Sequence, residues 1–190
     1  MGKTRLASFA AHRAHAEGFA VCWGSCSEEL AVPYEPWIEV CSQIVEHAPQ
    51  ELLERHCKRH VGELSRFVRT LGERVEELPS LQTSDPETER YLLFSAVAGL
   101  LEQVAQSVPV CVVLDDLHWA DGQSVALLKH VVRTAEREAL QVIAGRGDAV
   151  RAREHATRAL ELSREHGYGA FEGLAATLVE AQSAAETDRR

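Results

Sequence analysis

No cluster of lysine and arginine occurs in the 190 residues, whose 20 basic side chains are outnumbered by 29 acidic ones for a formal charge of −9. Phosphate backbones are held by grouped cations, so direct nucleic-acid binding by this chain is not expected. No apolar run approaches the roughly 20 residues that cross a bilayer, and the start lacks the apolar core of a secretory signal. Gly2 invites N-myristoylation, yet Leu6 stands where that motif needs Ser or Thr. A cytoplasmic chain without a membrane partner is the expectation. A disulfide framework is missing too: Cys22, Cys26, Cys41, Cys57 and Cys111 are odd in number and lack framework spacing, which reads as reduced, structural thiols. Cys22 and Cys26 do not make a redox C-x-x-C pair. His56 and His60 share a helical face, but no acidic or thiol partner at fixed spacing completes a metal site, so a solvated helix flank is expected there. Arg146-Gly147-Asp148 reads as a helix entry with Asp148 as cap, and no Ser-His-Asp order can be defended.

What the chain does hold is enough apolar material for a core, 45% of its residues, and one organising stretch, PVCVVLDDLHWAD at Pro109–Asp121. Val110 to Leu114 is apolar without alternation, which suits a strand covered on both faces of a parallel sheet. Asp115 and Asp116 follow at its carboxyl end, where ligands of open α/β sheets sit. One Asp can hold Mg²⁺ and the next can orient or deprotonate a water, the arrangement of a Walker B segment. Met1-Gly2-Lys3-Thr4 supplies the tail of G-x-x-x-x-G-K-[ST], in which Lys reaches phosphate and Thr holds Mg²⁺. In that order the two segments point to a nucleotide site.

Along the chain, Leu6, Ala10 and Ala14 set one face of a helix from Lys3 to Glu17, with Phe9 beside it and Gly18 as its stop. Phe19 to Ser25 reads as a strand, Ser27 to Trp37 as a loop with two prolines, and Ile38 to His47 as a helix. Leu53, Cys57, Val61, Leu64, Val68, Leu71, Val75 and Leu78 continue one apolar stripe, divided at Gly62 and Gly72. Leu81 to Ser84 is a polar connection. Asp85-Pro86 opens a helix whose buried face is Leu93, Val97, Leu100, Leu101 and Val104. A helix over Gln123 to Arg137 and a strand at Ala139 to Ala144 follow. Beyond Gly145 the composition turns to Ala, Arg and Glu and predicts an α-hairpin.

GKTRL, WGSCSEELAVPYEPW, DPETERYLLF and VVLDDLHWAD, in this order, resemble the AAA-like, STAND-type P-loop ATPase module of bacterial LuxR-type regulators and multidomain adenylate/guanylate cyclase-like proteins. Residues 147 to 167 resemble half of a tetratricopeptide repeat. The resemblance implies a nucleotide-binding domain at 1–146 and a helical hairpin at 147–190. It implies ATP and Mg²⁺ as cofactors, Gly2, Lys3, Thr4 and Asp115 as cofactor-binding residues, Thr4 and Asp115 as metal ligands, and Asp116 as catalytic base. His118 and Trp119 match the family pattern without an assigned role, and Trp119 is expected to anchor the core or a loop. A regulatory ATPase joined to an output domain or protein partner is the function implied.

The chain starts inside the phosphate-loop motif, so the glycine-rich loop and its preceding strand are expected to be missing. Losing three or four amide contacts of ~1.5–3 kcal/mol each predicts weakened ATP binding, by at least ~5 kcal/mol. The alternative is therefore a catalytically degenerate scaffold that uses the helical repeats. After Ala144 and Gly145, Arg146 stands near the family's sensor position and reads as a surface arginine. The expected fold is α/β: a remnant of the parallel sheet in the family's strand order 4-3-2, a large helical insertion, then the hairpin. Its open edge at Ala139 to Ala144 predicts self-association.

Overall fold

Val110–Asp115 forms the middle strand, β2, of a three-stranded parallel sheet, between β1 (Ala20–Ser25) and β3 (Leu140–Ala144). The computed structural model describes residues 3–28, 32–60, 62–76, 78, 84–134 and 140–144. All of β2 is buried, and strand alternation explains its unbroken apolar run. Val110, Val112 and Leu114 enter a large core with Trp37, Val40, Val97 and Leu100. Cys111 and Val113 enter a smaller one with Ala7, Ala11, Ala14 and Phe19.

The smaller core belongs to α1 (Lys3–Ala16), whose alanines let it lie close to the sheet, while Phe9 remains exposed. Gly18 at φ 90° ends it as expected, with Phe19 N–H donating to Ala14 O at 3.0 Å. The chain enters β1 at once.

On the other face lies α2 (Glu35–His47), which begins three residues before the expected Ile38. Tyr34 caps it in the left-handed region at φ 64°, and Pro36 occupies the first turn, where its missing N–H costs nothing. A proline read as loop is thus a helix start. α2 also closes the outer edge of β1. Gln43 accepts from Trp23 N–H at 3.0 Å and donates to Trp23 O at 2.6 Å, and Glu39 accepts from Ser25 N–H at 2.8 Å. Two side chains one turn apart stand in for a neighbouring strand.

The apolar stripe from Leu53 onward is buried as expected at Leu53, Cys57, Leu64, Val68, Leu71 and Val75. It is carried by α3 (Gln50–Arg59), a 3₁₀ turn at Glu63–Arg66 and α4 (Leu71–Arg74). Gly62, at φ 73°, makes the first break. The expected break at Gly72 is corrected: Gly72 lies within α4 and the interruption falls at 67–70, because steps of three and four fix the buried side of a segment, not the continuity of its hydrogen bonds. Arg74 then caps α2, donating to Val45 O (2.8 Å), Glu46 O (2.6 Å) and Ala48 O (2.8 Å). Arg74→Met, which keeps the stem and removes those donors, is expected to lower stability by about 2 kcal/mol in urea unfolding.

The solvated flank expected at His56 and His60 is also corrected. His56 is 1% exposed and stacks on His60 with ring centroids 4.6 Å apart. The reason lies on α5 (Pro86–Ala105), where a side chain at Gly99 would strike the His60 ring, 2.4 Å from Nε2. Among the described residues, the buried side-chain polar atoms without a hydrogen-bond partner are His56 Nδ1 and Nε2, His60 Nε2 and Gln103 Oε1.

α5 starts as its sequence signals: Asp85 accepts from Glu87 N–H at 3.2 Å and Thr88 N–H at 3.0 Å. Leu93, Val97, Leu100 and Leu101 are buried, and Val104 half-buried. After β2 comes α6 (Gly122–Thr134), burying Leu127 and Val131. All the cysteines are free and buried, and burial pushes the thiols of Cys22 and Cys111 up to about 11 and about 12, so they stay protonated and unreactive. No helix among the described residues is long and apolar enough to cross a membrane. Leu81 to Thr83, Ala135, Arg146 and the hairpin at 147–190 lie outside the described residues.

Candidate functional site

Asp115 closes β2 with 6% exposure, and its Oδ1 accepts the N–H of Asp116 at 2.9 Å. That bond holds Asp116 in the left-handed region at φ 51°, which Asp tolerates better than most residues. The two carboxylates are thereby split into different tasks. Asp115 is sheltered and fixed, whereas the Asp116 side chain is 52% exposed with His118 Nδ1 3.7 Å from its Oδ1. A 3₁₀ turn at Leu117–Trp119 follows, tied by Trp119 N–H to Asp116 O at 2.9 Å. Leu117 is the buried anchor of this turn, and Trp119 is 44% exposed. The expected role of Trp119 as an anchor is corrected, because the turn spends its one inward position on Leu117.

The end of β1 lies alongside. Ser25 is in register with Asp115, and Cys26 N–H donates to Asp115 O at 3.2 Å. Burial first, then the charges of Glu35, Asp121, Asp116 and Glu39, push the Cys26 thiol up to about 11. Carboxylates therefore surround this end of the sheet. A polyphosphate would meet repulsion here unless a cation came with it.

The start of α1 is at the same end. Its last residue is followed almost directly by β1, so the helix runs antiparallel to the strands. Its 14 residues span about 20 Å at ~1.5 Å per residue, and the six of β2 about 20 Å at ~3.3 Å per residue. The first turn of α1 is thus level with Asp115. Lys3 opens the helix, Thr4 is exposed, and Gly2 lies outside the described residues. Asp115 continues the series Cys111, Val113, which faces α1.

A helix N-terminus and a strand-end carboxylate pair on one side of a parallel sheet are joined by a sequence match: the family model described as AAA ATPase domain covers residues 1–143. The chain belongs to the AAA ATPase domain family. None of the curated proteins and none of the solved structures matches it. As an AAA ATPase domain it is a P-loop ATPase-like module of mixed α/β build, a family that generally uses ATP and Mg²⁺.

One residue of this AAA ATPase domain has a larger part than its sequence position suggested. Asp121 Oδ1 accepts from Gln123 N–H (2.8 Å) and Ser124 N–H (3.1 Å), capping α6. Its Oδ2 accepts from the Ser124 hydroxyl and, from 87 residues away, Tyr34 N–H at 3.2 Å. Burial alone would push its pKa up, but the bonds from Ser124, Tyr34 and Gln123 outweigh it and hold the carboxyl below the usual range. The spacing Asp121-x-x-Ser124 before an apolar run was a cap signal; the bond to Tyr34 had none.

Proposed function

We propose that the chain is the Mg²⁺-dependent ATP-binding module of a signalling ATPase, with its cleft between the first turn of α1 and the end of β2. The observation that carries this reading is the side of the sheet on which Asp115 falls: the α1 side, at the end toward which α1 begins. In this reading Gly2, Lys3 and Thr4 hold the phosphate, the amides of Lys3 and Thr4 lying at the positive end of α1. The donor set fits the metal, since the Thr4 hydroxyl and the Asp115 carboxylate are hard oxygen ligands of the kind Mg²⁺ takes. When bound, Mg²⁺ supplies the positive charge that lets a polyphosphate sit among carboxylates. Asp116, exposed yet held in its turn by Asp115, accepts a proton from water or orients it, which makes slow hydrolysis the chemistry of the site.

The regulatory role rests on the likeness of WGSCSEELAVPYEPW and VVLDDLHWAD to STAND-type modules. The parallel order β1-β2-β3 supports reading these strands as the second, third and fourth of such a sheet. An output domain or protein partner, with a boundary near residue 146, belongs to the same proposal. So does self-association along β3, which among the described residues pairs with β2 alone.

Equilibrium binding of a fluorescent ATP analogue, with and without Mg²⁺, tests the site. Asp115→Ala is expected to weaken the Mg²⁺-dependent affinity by at least about tenfold. Equal curves for the two proteins would remove the nucleotide reading and leave the scaffold.

A further inference from the structure

Tyr34 is the place where the acidic turn meets the helical insertion. Its N–H goes to Asp121 Oδ2 at 3.2 Å and its hydroxyl to Gln123 Oε1 at 3.3 Å, both just after the turn that carries Asp116. Its own carbonyl accepts from Trp37 N–H and Ile38 N–H, both at 2.9 Å, and so starts α2. Its ring lies against Phe67, after the 3₁₀ turn, at 6.0 Å, and edge-on to Phe94 of α5 at 6.1 Å. The Trp37 indole adds a parallel tie, donating to Ser124 O at 3.1 Å from full burial. The backbone is left-handed at Tyr34 (φ 64°), which donates to Asp121, and at Asp116 (φ 51°), five residues before Asp121 in the chain.

We propose that Asp121 and Tyr34 are positioning residues: their bond locks the Asp116 turn to the start of α2, so that the geometry of the acidic pair and the seating of the helical insertion depend on each other. The inference rests on the proposed nucleotide site for its purpose, though not for the joint itself. Asp121 acts on the cleft through the turn between itself and Asp116, whose far end is fixed by Asp115 Oδ1. With both ends pinned, Asp116 keeps one orientation. With the Asp121 end released, the turn is held at Asp115 and Leu117 only, and the metal-binding geometry loosens. At the other side of the joint, Tyr34 passes any displacement to Phe67 and Phe94.

Asp121→Asn separates the joint from the cap. One amide oxygen can still cap α6, while the amide nitrogen, a donor, faces the Tyr34 N–H. Ser124→Ala is the control, removing the hydroxyl bond to Asp121 and sparing Tyr34. In the full chain without nucleotide, hydrogen exchange at the amides of Tyr34, Trp37 and Ile38 is expected to quicken about tenfold in Asp121→Asn, equivalent to roughly 1.4 kcal/mol, and not in Ser124→Ala. Unchanged exchange overturns the joint. With the fluorescent ATP analogue, Asp121→Asn is expected to lose about tenfold in the Mg²⁺-dependent gain in affinity while its Mg²⁺-free affinity stays level. A full Mg²⁺-dependent gain overturns the positioning role. An unsubstituted chain that binds no analogue overturns the nucleotide reading and this role with it, and the exchange result then decides the joint alone.

Discussion

Gly24→Ala is expected to lower folding stability by about 3 kcal/mol, near the upper end for overpacking, seen as a fall in the urea midpoint. A Cβ at this position would stand 2.1 Å from Pro36 O, 2.7 Å from Pro36 C and 2.9 Å from Pro36 Cα. All three are backbone atoms, so no rotamer change relieves the clash. Either α2 backs away from β1 or the strand bends. Each response pulls Glu39 and Gln43 from the Trp23 and Ser25 groups they satisfy. Gly122→Ala is the matched control: nothing lies within 4 Å of its added carbon, and it sits at the start of α6. Its folding stability is expected to change by no more than about 0.5 kcal/mol. If both variants melted alike, α2 would not rest on β1 at this point.

The second large effect is a loss of stability in acid that comes chiefly from His56 and its neighbour His60. Burial, then the neighbouring His60 and Arg59, lower His56 from the ordinary 6.5 to about 3, and burial and Arg59 lower His60. From α5 the His60 ring faces Gly99, which carries no charge, and the charges acting on His56 from α3 are cationic. A depressed native value means that the unfolded chain binds the proton first. Stability is therefore complete above pH 6.5 and is lost as pH falls from there toward 3. Between pH 6.5 and 4.5 His56 alone accounts for about 2–3 kcal/mol, at 1.36 kcal/mol per unit. His130, also lowered by burial, adds in the same direction. Urea unfolding at pH 7 and 4.5 is expected to show this drop in the native chain and most of it abolished in His56→Leu. The same pH slope in both proteins would mean that the ring is hydrated, and the α3–α5 packing described above would be wrong.

The parts legible in the sequence were those set by neighbours along the chain. Asp85-Pro86 announces α5, Gly18 ends α1, and the apolar run before Asp115 is the central strand, because capping, left-handed glycine and two-sided burial each leave a local signature. What escaped notice was set across space. His56 looked like a wet flank because helical periodicity describes one helix, and the hollow that admits the His60 ring is an absence of side chain at Gly99, 39 residues later than His60. Pro36 looked like loop until Gly24 gave its backbone room against β1. At the candidate site, the residue types and order of Lys3, Thr4, Asp115 and Asp116 could be read directly. Their division into a sheltered and an exposed carboxylate required the turn itself, as did the reach of Asp121 to Tyr34.

The covering of β1 by Glu39 and Gln43 also limits how copies of the sheet can combine. With Trp23 and Ser25 satisfied internally on one margin, the described residues of each copy bring one open backbone ladder, Leu140–Ala144, to any encounter through the sheet. Two such ladders joined about a twofold axis consume each other, so an assembly of this kind terminates as a pair, whereas a sheet open on both sides would go on to build filaments.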